Sequence, residues 1–176
     1  MTRRIAAVEA HSTMTVGTSE QMLAEILLND LAATERTAAM LGVVLEPGDV
    51  IALDGPLGIG KTAFARGLIR HLAGAATEVP SPTFNLVFAY DLDNGVLWHF
   101  DLFRIERPED AYELGIEEAF ADGISLIEWP ARLGGLLPDD CLTLTFLAGA
   151  NDGARRLQMA GNEAWRRRLG SVVGDG

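Results

Sequence analysis

A glycine-rich segment, GPLGIGKT at residues 55–62, constrains this chain more than any other part of its sequence. The apolar run VIAL at 50–53 precedes it, and a stretch with apolar residues at every fourth position follows it. This order predicts a buried strand, a tight turn and then a helix over residues 60–73. Glycines allow so tight a turn because they lack the Cβ atom that would clash with the backbone.

The segment fits the pattern G-x-x-x-x-G-K-[ST], with Gly55, Gly60, Lys61 and Thr62 at the fixed positions. In that pattern, N–H groups of the turn and of the helix N-terminus surround a chain of phosphates. The lysine reaches the β- and γ-phosphates, and the threonine hydroxyl takes a place on Mg²⁺. A glycine-rich turn with a surface lysine is the alternative, and the flanking strand and helix disfavour it. The predicted nucleotide contacts in the loop are Gly55, Pro56, Leu57, Gly58, Ile59, Gly60, Lys61, Thr62 and Ala63.

Magnesium at such a site also needs a carboxylate, and two acids stand at the ends of apolar strands. Glu128 ends GISLIE, and Asp101 ends VLWHFD. Ligands of parallel sheets gather at the carboxyl ends of strands, which favours Glu128, because Asp101 falls in a predicted antiparallel hairpin. His99 and Asp101 alternate onto one face of their strand. That face either positions water or metal beside the phosphates, or is simply solvated.

The rest of the chain alternates apolar strands with helices, which predicts an α/β fold with a mainly parallel sheet. Residues 84–105 form two strand-like arms around Asn94-Gly95, a dipeptide typical of hairpin turns. A helix is predicted from about Leu31 to Leu45 with Asp30 as its N-cap, and a short helix over residues 108–114.

The two ends of the chain carry weaker patterns. Thr18 and Gln21 fit a capping box, and the apolar spacing over residues 22–27 is helical. At the other end, RRLQMA and EAWRRRL predict a strand and a short helix. The arginines there are candidates for contacting a partner or tRNA, and a solvated amphipathic end is the alternative.

Composition limits the function classes. The net charge of −11 argues against broad binding to nucleic-acid backbones, so DNA binding is not expected. No apolar run approaches the ~20 residues of a membrane span. The single cysteine, Cys141, cannot form an internal disulfide, which fits a reducing cytoplasm. The length predicts one domain.

Four motifs in this order resemble the TsaE family, also called YjeE: GPLGIGKT, SPTF at 81–84, HFDLFR at 99–104 and EWP at 128–130. Members of this family are small bacterial ATPases of the pathway that makes threonylcarbamoyladenosine on tRNA. The resemblance covers roughly residues 28–147. It implies an α/β P-loop NTPase fold, a mainly parallel sheet with an inserted antiparallel hairpin.

The resemblance also divides the chain. It implies an N-terminal extension at 1–27, a P-loop ATPase domain at 28–148 and an arginine-rich C-terminal tail at 149–176. It makes ILL at 26–28 a first strand rather than part of a helix. We prefer the strand, because Asn29-Asp30 then caps the helix that follows.

The family's site residues carry over onto matching positions. The resemblance implies that Lys61 and Thr62 bind ATP and Mg²⁺, with Glu128 as the second protein ligand of the metal. SPTF and HFDLFR become switch-like segments around the γ-phosphate. Trp129 is interpreted as core packing, with a surface anchor or a contact near the nucleotide as alternatives. Further predicted nucleotide contacts are Thr34, Ser81 and Thr83. The predicted catalytic residues are Lys61, Asp101 and Glu128, and the predicted metal ligands are Thr62, Asp101 and Glu128.

The resemblance implies a supporting role rather than tRNA modification itself. In the family, a TsaD–TsaB pair transfers the threonylcarbamoyl group to an adenosine beside the anticodon (t6A37). TsaE joins that pair, and its ATP cycle supports repeated turnover, so tRNA is reached only through the complex. The alternative is a small-molecule kinase that uses the same loop, with Arg104, Arg107 and Arg132 as candidate lid residues.

Overall fold

The computed structural model describes residues 21–81, 85–151 and 153–173. These residues form one seven-stranded mixed sheet with the order β1-β7-β6-β2-β5-β4-β3. The strands are β1 (Gln21–Leu28), β2 (Val50–Asp54), β3 (Val87–Leu92), β4 (Gly95–Asp101), β5 (Ile124–Glu128), β6 (Leu142–Ala148) and β7 (Arg155–Gly161).

Helices cover both faces of the sheet. The α-helices are α1 (Leu31–Gly42), α2 (Lys61–Ala73), α3 (Ile116–Asp122) and α4 (Glu163–Val173). Two 3₁₀ segments, Pro108–Leu114 and Pro130–Leu136, flank α3 and β5. The predicted cap of α1 is confirmed, since Oδ1 of Asp30 accepts a hydrogen bond of 2.7 Å from the N–H of Ala33.

The predicted mainly parallel sheet is confirmed. Strands β6, β2, β5 and β4 are neighbours that run parallel to one another. Strands β7 and β1 extend the sheet antiparallel at one edge, and β3 does so at the other. The predicted hairpin is the β3–β4 pair, which turns at Asn94-Gly95. Both central strands, β2 and β5, are buried almost throughout, as a sheet covered on both faces requires.

One inference drawn from the hairpin is wrong. Strand β4 is antiparallel to β3 but parallel to its other neighbour, β5, and Asp101 lies directly opposite Glu128 in the register. Both acids are therefore the last residues of parallel strands and lie at the carboxyl end of the sheet. A hairpin specifies only one of the two neighbours of a strand. It therefore gives no reason to prefer Glu128 over Asp101 as a metal ligand.

The helix predicted from the apolar spacing over residues 22–27 is also wrong. That segment belongs to β1, so the first strand includes the expected ILL and begins earlier, at Gln21. The pairing of β1 with β7 shifts register between Met22 and Ala24. Such a bulge adds a residue to one strand, which breaks the two-residue alternation and makes the apolar spacing look helical. Thr18 lies outside the described residues.

Both ends of the described chain pack on this sheet. The predicted strand and helix of the arginine-rich segment are confirmed as β7 and α4. Trp165 and Leu169 of α4 join the core beneath α1 and α2, and a second core lies on the opposite face beneath α3 and the 3₁₀ segments. The domain boundaries at 27 and 148 remain a prediction. In the part of the chain that the structure describes, no helix has the length and apolarity needed to cross a membrane.

Candidate nucleotide-binding site

The glycine-rich turn, hereafter the phosphate loop (residues 55–62), leaves β2 after Asp54 and enters α2 at Lys61. Gly55 has a φ of 139°, and a Cβ there would lie 2.7 Å from the carbonyl oxygen of Phe146 on β6. Only glycine fits a backbone that is both left-handed and this close to another strand. The loop is thereby held at the carboxyl end of the parallel sheet, where ligands of such sheets bind.

The loop forms one wall of a cleft of about 390 Å³, hereafter the phosphate cleft. The cleft brings together side chains from all four predicted motifs. Its lining residues are Leu57, Gly58, Gly60, Lys61, Thr62, Ala63, Ser81, Asp101, Glu128 and Trp129. Thr83, another predicted contact, lies outside the described residues.

Lys61 is 4 % exposed and folds back over its own loop. Its Nζ donates to the carbonyl oxygens of Gly55 at 2.6 Å and Pro56 at 2.9 Å. The same ammonium lies 4.1 Å from the centroid of the Trp129 ring. The lysine is thus held on the cleft wall by neutral acceptors and an aromatic face.

The charge around Lys61 is mostly negative. Burial lowers the pKa of Lys61, and the charges of Glu128, Asp54 and Asp101 act against that shift in that order. Asp54 was not among the predicted residues, although it directly precedes the loop. Three carboxylates therefore surround one ammonium, so a bound cation would favour the entry of a polyphosphate.

Trp129 serves both the core and the cleft. Its backbone has a φ of 62°, an uncommon conformation for a bulky residue. The side chain is half-buried against the second core, and its ring also contacts the exposed Phe103 at a centroid distance of 4.9 Å. The predicted core packing is observed in part, and the alternative of a contact near the nucleotide stays a prediction for a side chain that lines the cleft.

Both oxygens of the Glu128 carboxylate are engaged. Oε2 accepts a hydrogen bond of 2.9 Å from the hydroxyl of Thr62, the second residue of α2. Oε1 lies 2.9 Å from Nε2 of His99 on β4. Glu128 is 2 % exposed and His99 is fully buried, so the pair holds the carboxylate in one orientation toward Thr62.

The alternative of a solvated face for His99 and Asp101 is wrong. Asp101 is 6 % exposed and lines the phosphate cleft beside Glu128. Its Oδ1 accepts a hydrogen bond of 3.1 Å from the N–H of Phe103. The face is buried because α2 covers this part of the sheet, which sequence alternation alone does not reveal.

The donor set fits magnesium. Thr62, Glu128 and Asp101 offer hard oxygen atoms, which Mg²⁺ prefers. Among the described residues, no group of three or more His, Cys, Asp or Glu side chains is arranged to hold a metal by itself. Mg²⁺ usually takes one or two protein carboxylates and completes its shell with phosphates and water.

A smaller cavity of about 170 Å³, hereafter the side cavity, adjoins the phosphate cleft and shares Gly60 and Ala63 with it. Thr34 lies here rather than in the cleft, and its hydroxyl donates to the carbonyl oxygen of Asp30 at 3.2 Å. The remaining lining residues are mostly apolar: Leu28, Leu31, Ile59, Phe146 and Arg155.

Arg155 is a second residue of the site whose role the sequence did not reveal. It begins β7, and its Nε donates a hydrogen bond of 2.7 Å to the carbonyl oxygen of Ile59 in the phosphate loop. No local pattern marks it, because the contact joins segments 96 residues apart.

The other arginines of the C-terminal segment bind within the protein. Arg168 pairs with Asp49 and with the carbonyl oxygen of Val44, and Arg156 lies 3.6 Å from Glu25. Their contacts hold α4 and β7 to the fold. The alternative of a solvated arginine-rich end does not describe Arg168, whereas Arg156 is exposed.

A family model matches most of this chain. The model for "Threonylcarbamoyl adenosine biosynthesis protein TsaE" matches residues 28–157. The chain belongs to the TsaE family. The match includes the phosphate loop, both acids of the cleft and Arg155, so the resemblance inferred from four motifs extends beyond them.

Curated relatives in the TsaE family agree. The chain is 43 % identical over 112 residues to the "tRNA threonylcarbamoyladenosine biosynthesis protein TsaE" of Rickettsia felis, covering 64 % of this chain and 66 % of that protein. The protein of the same name from Rickettsia bellii is 40 % identical over 119 residues, covering 67 % and 83 %. The match thus spans slightly less than two thirds of the R. felis protein.

The fold is shared with a solved structure. The crystal structure of Bacillus subtilis YdiB superposes with a TM-score of 0.70 at 25 % identity, covering 88 % of this chain and 95 % of that one. The predicted P-loop NTPase fold is therefore confirmed, and the phosphate loop occupies the expected place between a central strand and the following helix.

Proposed function

We propose that this protein is a Mg²⁺-dependent ATPase that supports formation of threonylcarbamoyladenosine on tRNA in the cytoplasm. One observation carries the ATPase part of the proposal. Thr62 at the start of α2 and Glu128 at the end of β5 meet at 2.9 Å inside a cleft that also contains the only lysine of the chain. Membership of the TsaE family supports the tRNA part.

The cleft and the side cavity together suit ATP. The phosphates lie against the N–H groups of the phosphate loop and of the first turn of α2, which have no partner within the helix. Lys61 exchanges two neutral carbonyl oxygens for anionic phosphate oxygens, and hydrogen bonds to charged groups are the stronger kind. The apolar side cavity beside Thr34 takes the base or sugar.

Thr62 and Glu128 hold the metal, and Asp101 orients water or completes the metal's surroundings. Magnesium held there would offset the repulsion between the phosphates and the nearby carboxylates of Glu128, Asp101 and Asp54. His99 keeps the Glu128 carboxylate in place through Oε1, which leaves Oε2 directed at the phosphate side. The oxygen of water attacks the γ-phosphorus as the bond from that phosphorus to the bridging oxygen of the β-phosphate breaks. The products are ADP, inorganic phosphate and the proton that water loses.

The partners we propose are proteins of the TsaD and TsaB type. The acidic charge of −11 makes the chain a poor tRNA ligand by itself, so tRNA is engaged only through the complex. Leu57 lines the phosphate cleft and is 78 % exposed, and Phe103, which is 42 % exposed, contacts Trp129 of the same cleft. Such apolar side chains beside a nucleotide site suit a partner that responds to whether the site is filled.

The test is the fate of the γ-phosphate of labelled ATP, measured with and without TsaD- and TsaB-type proteins. We expect free phosphate, faster with the pair present, and at least tenfold less from Lys61→Ala. Arg70→Ala is the matched control, because Arg70 is an exposed cation at the far end of the same helix. Label on a small-molecule acceptor would instead support the kinase alternative, and no label transfer at all would contradict both.

A further inference from the structure

Arg155 joins the first residue of β7 to the phosphate loop. Its Nε donates to the carbonyl oxygen of Ile59 at 2.7 Å, and its guanidinium also donates to the carbonyl oxygen of Gly153. Strand β7 is paired on both sides, with β1 and with β6. The arginine is therefore anchored to the sheet at one end and fixed to a single peptide of the loop at the other.

The peptide that Arg155 holds is the one between Ile59 and Gly60. A peptide unit is planar and trans, so its N–H and C=O point in opposite directions. Because Arg155 binds the Ile59 oxygen, the N–H of Gly60 points away from the guanidinium. Gly60 lines both the side cavity, where Arg155 lies, and the phosphate cleft. The bond thus fixes on which side of the loop this N–H is presented.

Gly60 makes such a bond necessary. Its φ is 119°, and glycine accepts positive and negative φ almost equally. The Ile59–Gly60 peptide is consequently free to turn over at little cost in the loop alone, which would direct a carbonyl oxygen at the phosphates. The Arg155 side chain also lies alongside Gly60, since a Cβ built on Gly60 would lie 3.6 Å from its Nε and 3.9 Å from its Cδ.

We infer that Arg155 is a positioning residue of the phosphate loop: it selects the peptide orientation in which Gly60 donates to phosphate. This inference rests on the proposed function. It assigns a role to Arg155 on β7, a residue that lies outside all four motifs. Arg155 acts through the loop backbone and takes no part in the bond changes of hydrolysis.

The experiment compares affinities for Mg²⁺-ATP and for inorganic tripolyphosphate by calorimetry on the full chain. Tripolyphosphate has no base or sugar, so it reports on the loop alone. We expect Arg155→Ala to weaken both ligands by the same factor, about tenfold, which corresponds to about 1.4 kcal/mol. Arg155→Met keeps the length of the side chain and its packing but lacks the donor, and it should show the same loss.

Arg156→Ala is the matched control. Arg156 is the next residue of β7, is exposed, and has its ion pair with Glu25 on β1, away from the loop. Its affinities should equal those of the wild type. A loss confined to ATP would overturn the inference in favour of direct contact with the base or sugar, and unchanged affinities in Arg155→Met would overturn it outright. Failure of the wild type to bind either ligand would instead contradict the proposed function.

Discussion

Replacing Glu128 by glutamine separates the metal role of this residue from its structural role. Glutamine has the same shape, so it still fills the buried position between Thr62 and His99. It lacks the charge, and one of its two terminal atoms becomes a donor. The Thr62 hydroxyl and the His99 ring can each act as donor or acceptor, so both contacts survive in neutral form.

The magnitudes follow from these contacts. Two hydrogen bonds of 2.9 Å to a charged group become neutral ones, at a cost of about 1 kcal/mol each. Removing a carboxylate that is 2 % exposed offsets this, because burying a charge costs several kcal/mol. We expect a free energy of unfolding within about 2 kcal/mol of the wild type. Magnesium affinity should fall at least a hundredfold, or about 2.7 kcal/mol.

Calorimetry of ATP binding with and without Mg²⁺ separates the loss of a negative charge from the loss of a metal ligand in one protein. Without Mg²⁺, Glu128→Gln should bind ATP at least as tightly as the wild type, because one negative charge near the phosphates is gone. With Mg²⁺, it should bind more weakly than the wild type. This reversal between the two conditions is the expected signature of a lost metal ligand, and a misfolded protein would lose affinity in both.

Asp101→Asn is the matched comparison, since Asp101 lies opposite Glu128 on the neighbouring strand. It too should bind ATP well without Mg²⁺, but it should keep the gain in affinity that Mg²⁺ brings, and hydrolysis should fall. The account of the two acids would be refuted if Glu128→Gln kept that gain while Asp101→Asn lost it.

Three further predictions concern the loop and the partners. ATP should protect Lys61, the only lysine of the chain, from amine-reactive reagents, as measured by mass spectrometry; equal labelling with ATP would place the lysine outside the site. Gly55→Ala should lower the free energy of unfolding by more than about 2 kcal/mol in urea denaturation, because it adds a backbone clash to a strained φ. Gly48→Ala, whose Cβ would meet nothing within 4 Å, should cost less, and equal losses would contradict the clash. The TsaD–TsaB pair should bind the full chain about 5- to 150-fold more tightly with ATP, and by linkage raise ATP affinity by the same factor; titrations giving equal affinity in every nucleotide state would remove this switch.

The parts of the site that sequence predicted are local. The phosphate loop, α2 and the Asp30 cap each depend on residues within a few positions of one another, and the backbone constraints of glycine and of helix ends act over that range. The strand that ends in Glu128 was predicted for the same reason. Its burial on both faces leaves a continuous apolar run in the sequence.

What sequence did not predict depends on distant pairing. The parallel partner of β4 decides where Asp101 lies, and nothing in the hairpin specifies that partner. The bulge in β1 exists only in its pairing with β7 and masks the alternation of a strand. Arg155 reaches the loop through the same sheet, so its role appears only once β7 has been placed.

Because β7 belongs to the sheet, removal of the C-terminal segment is not a clean test of whether that segment binds a partner. A version ending near Ala150 would lose a strand paired with both β1 and β6, so reduced partner binding would reflect damage to the sheet. Arg167 supplies a gentler probe, because its side chain is exposed on α4 and donates a hydrogen bond of 3.5 Å to the carbonyl oxygen of Glu163 on the same helix.

The central claim is that ATP turnover in this cleft sustains threonylcarbamoyl transfer to tRNA. Its most direct measurement is the number of modified tRNA molecules formed per TsaD–TsaB pair in a reconstituted reaction supplied with the activated threonylcarbamoyl donor. With the wild-type chain and ATP, we predict repeated turnover. With Lys61→Ala, or with a non-hydrolysable ATP analogue, we predict about one product per pair. Equal product from wild type and Lys61→Ala would contradict the claim.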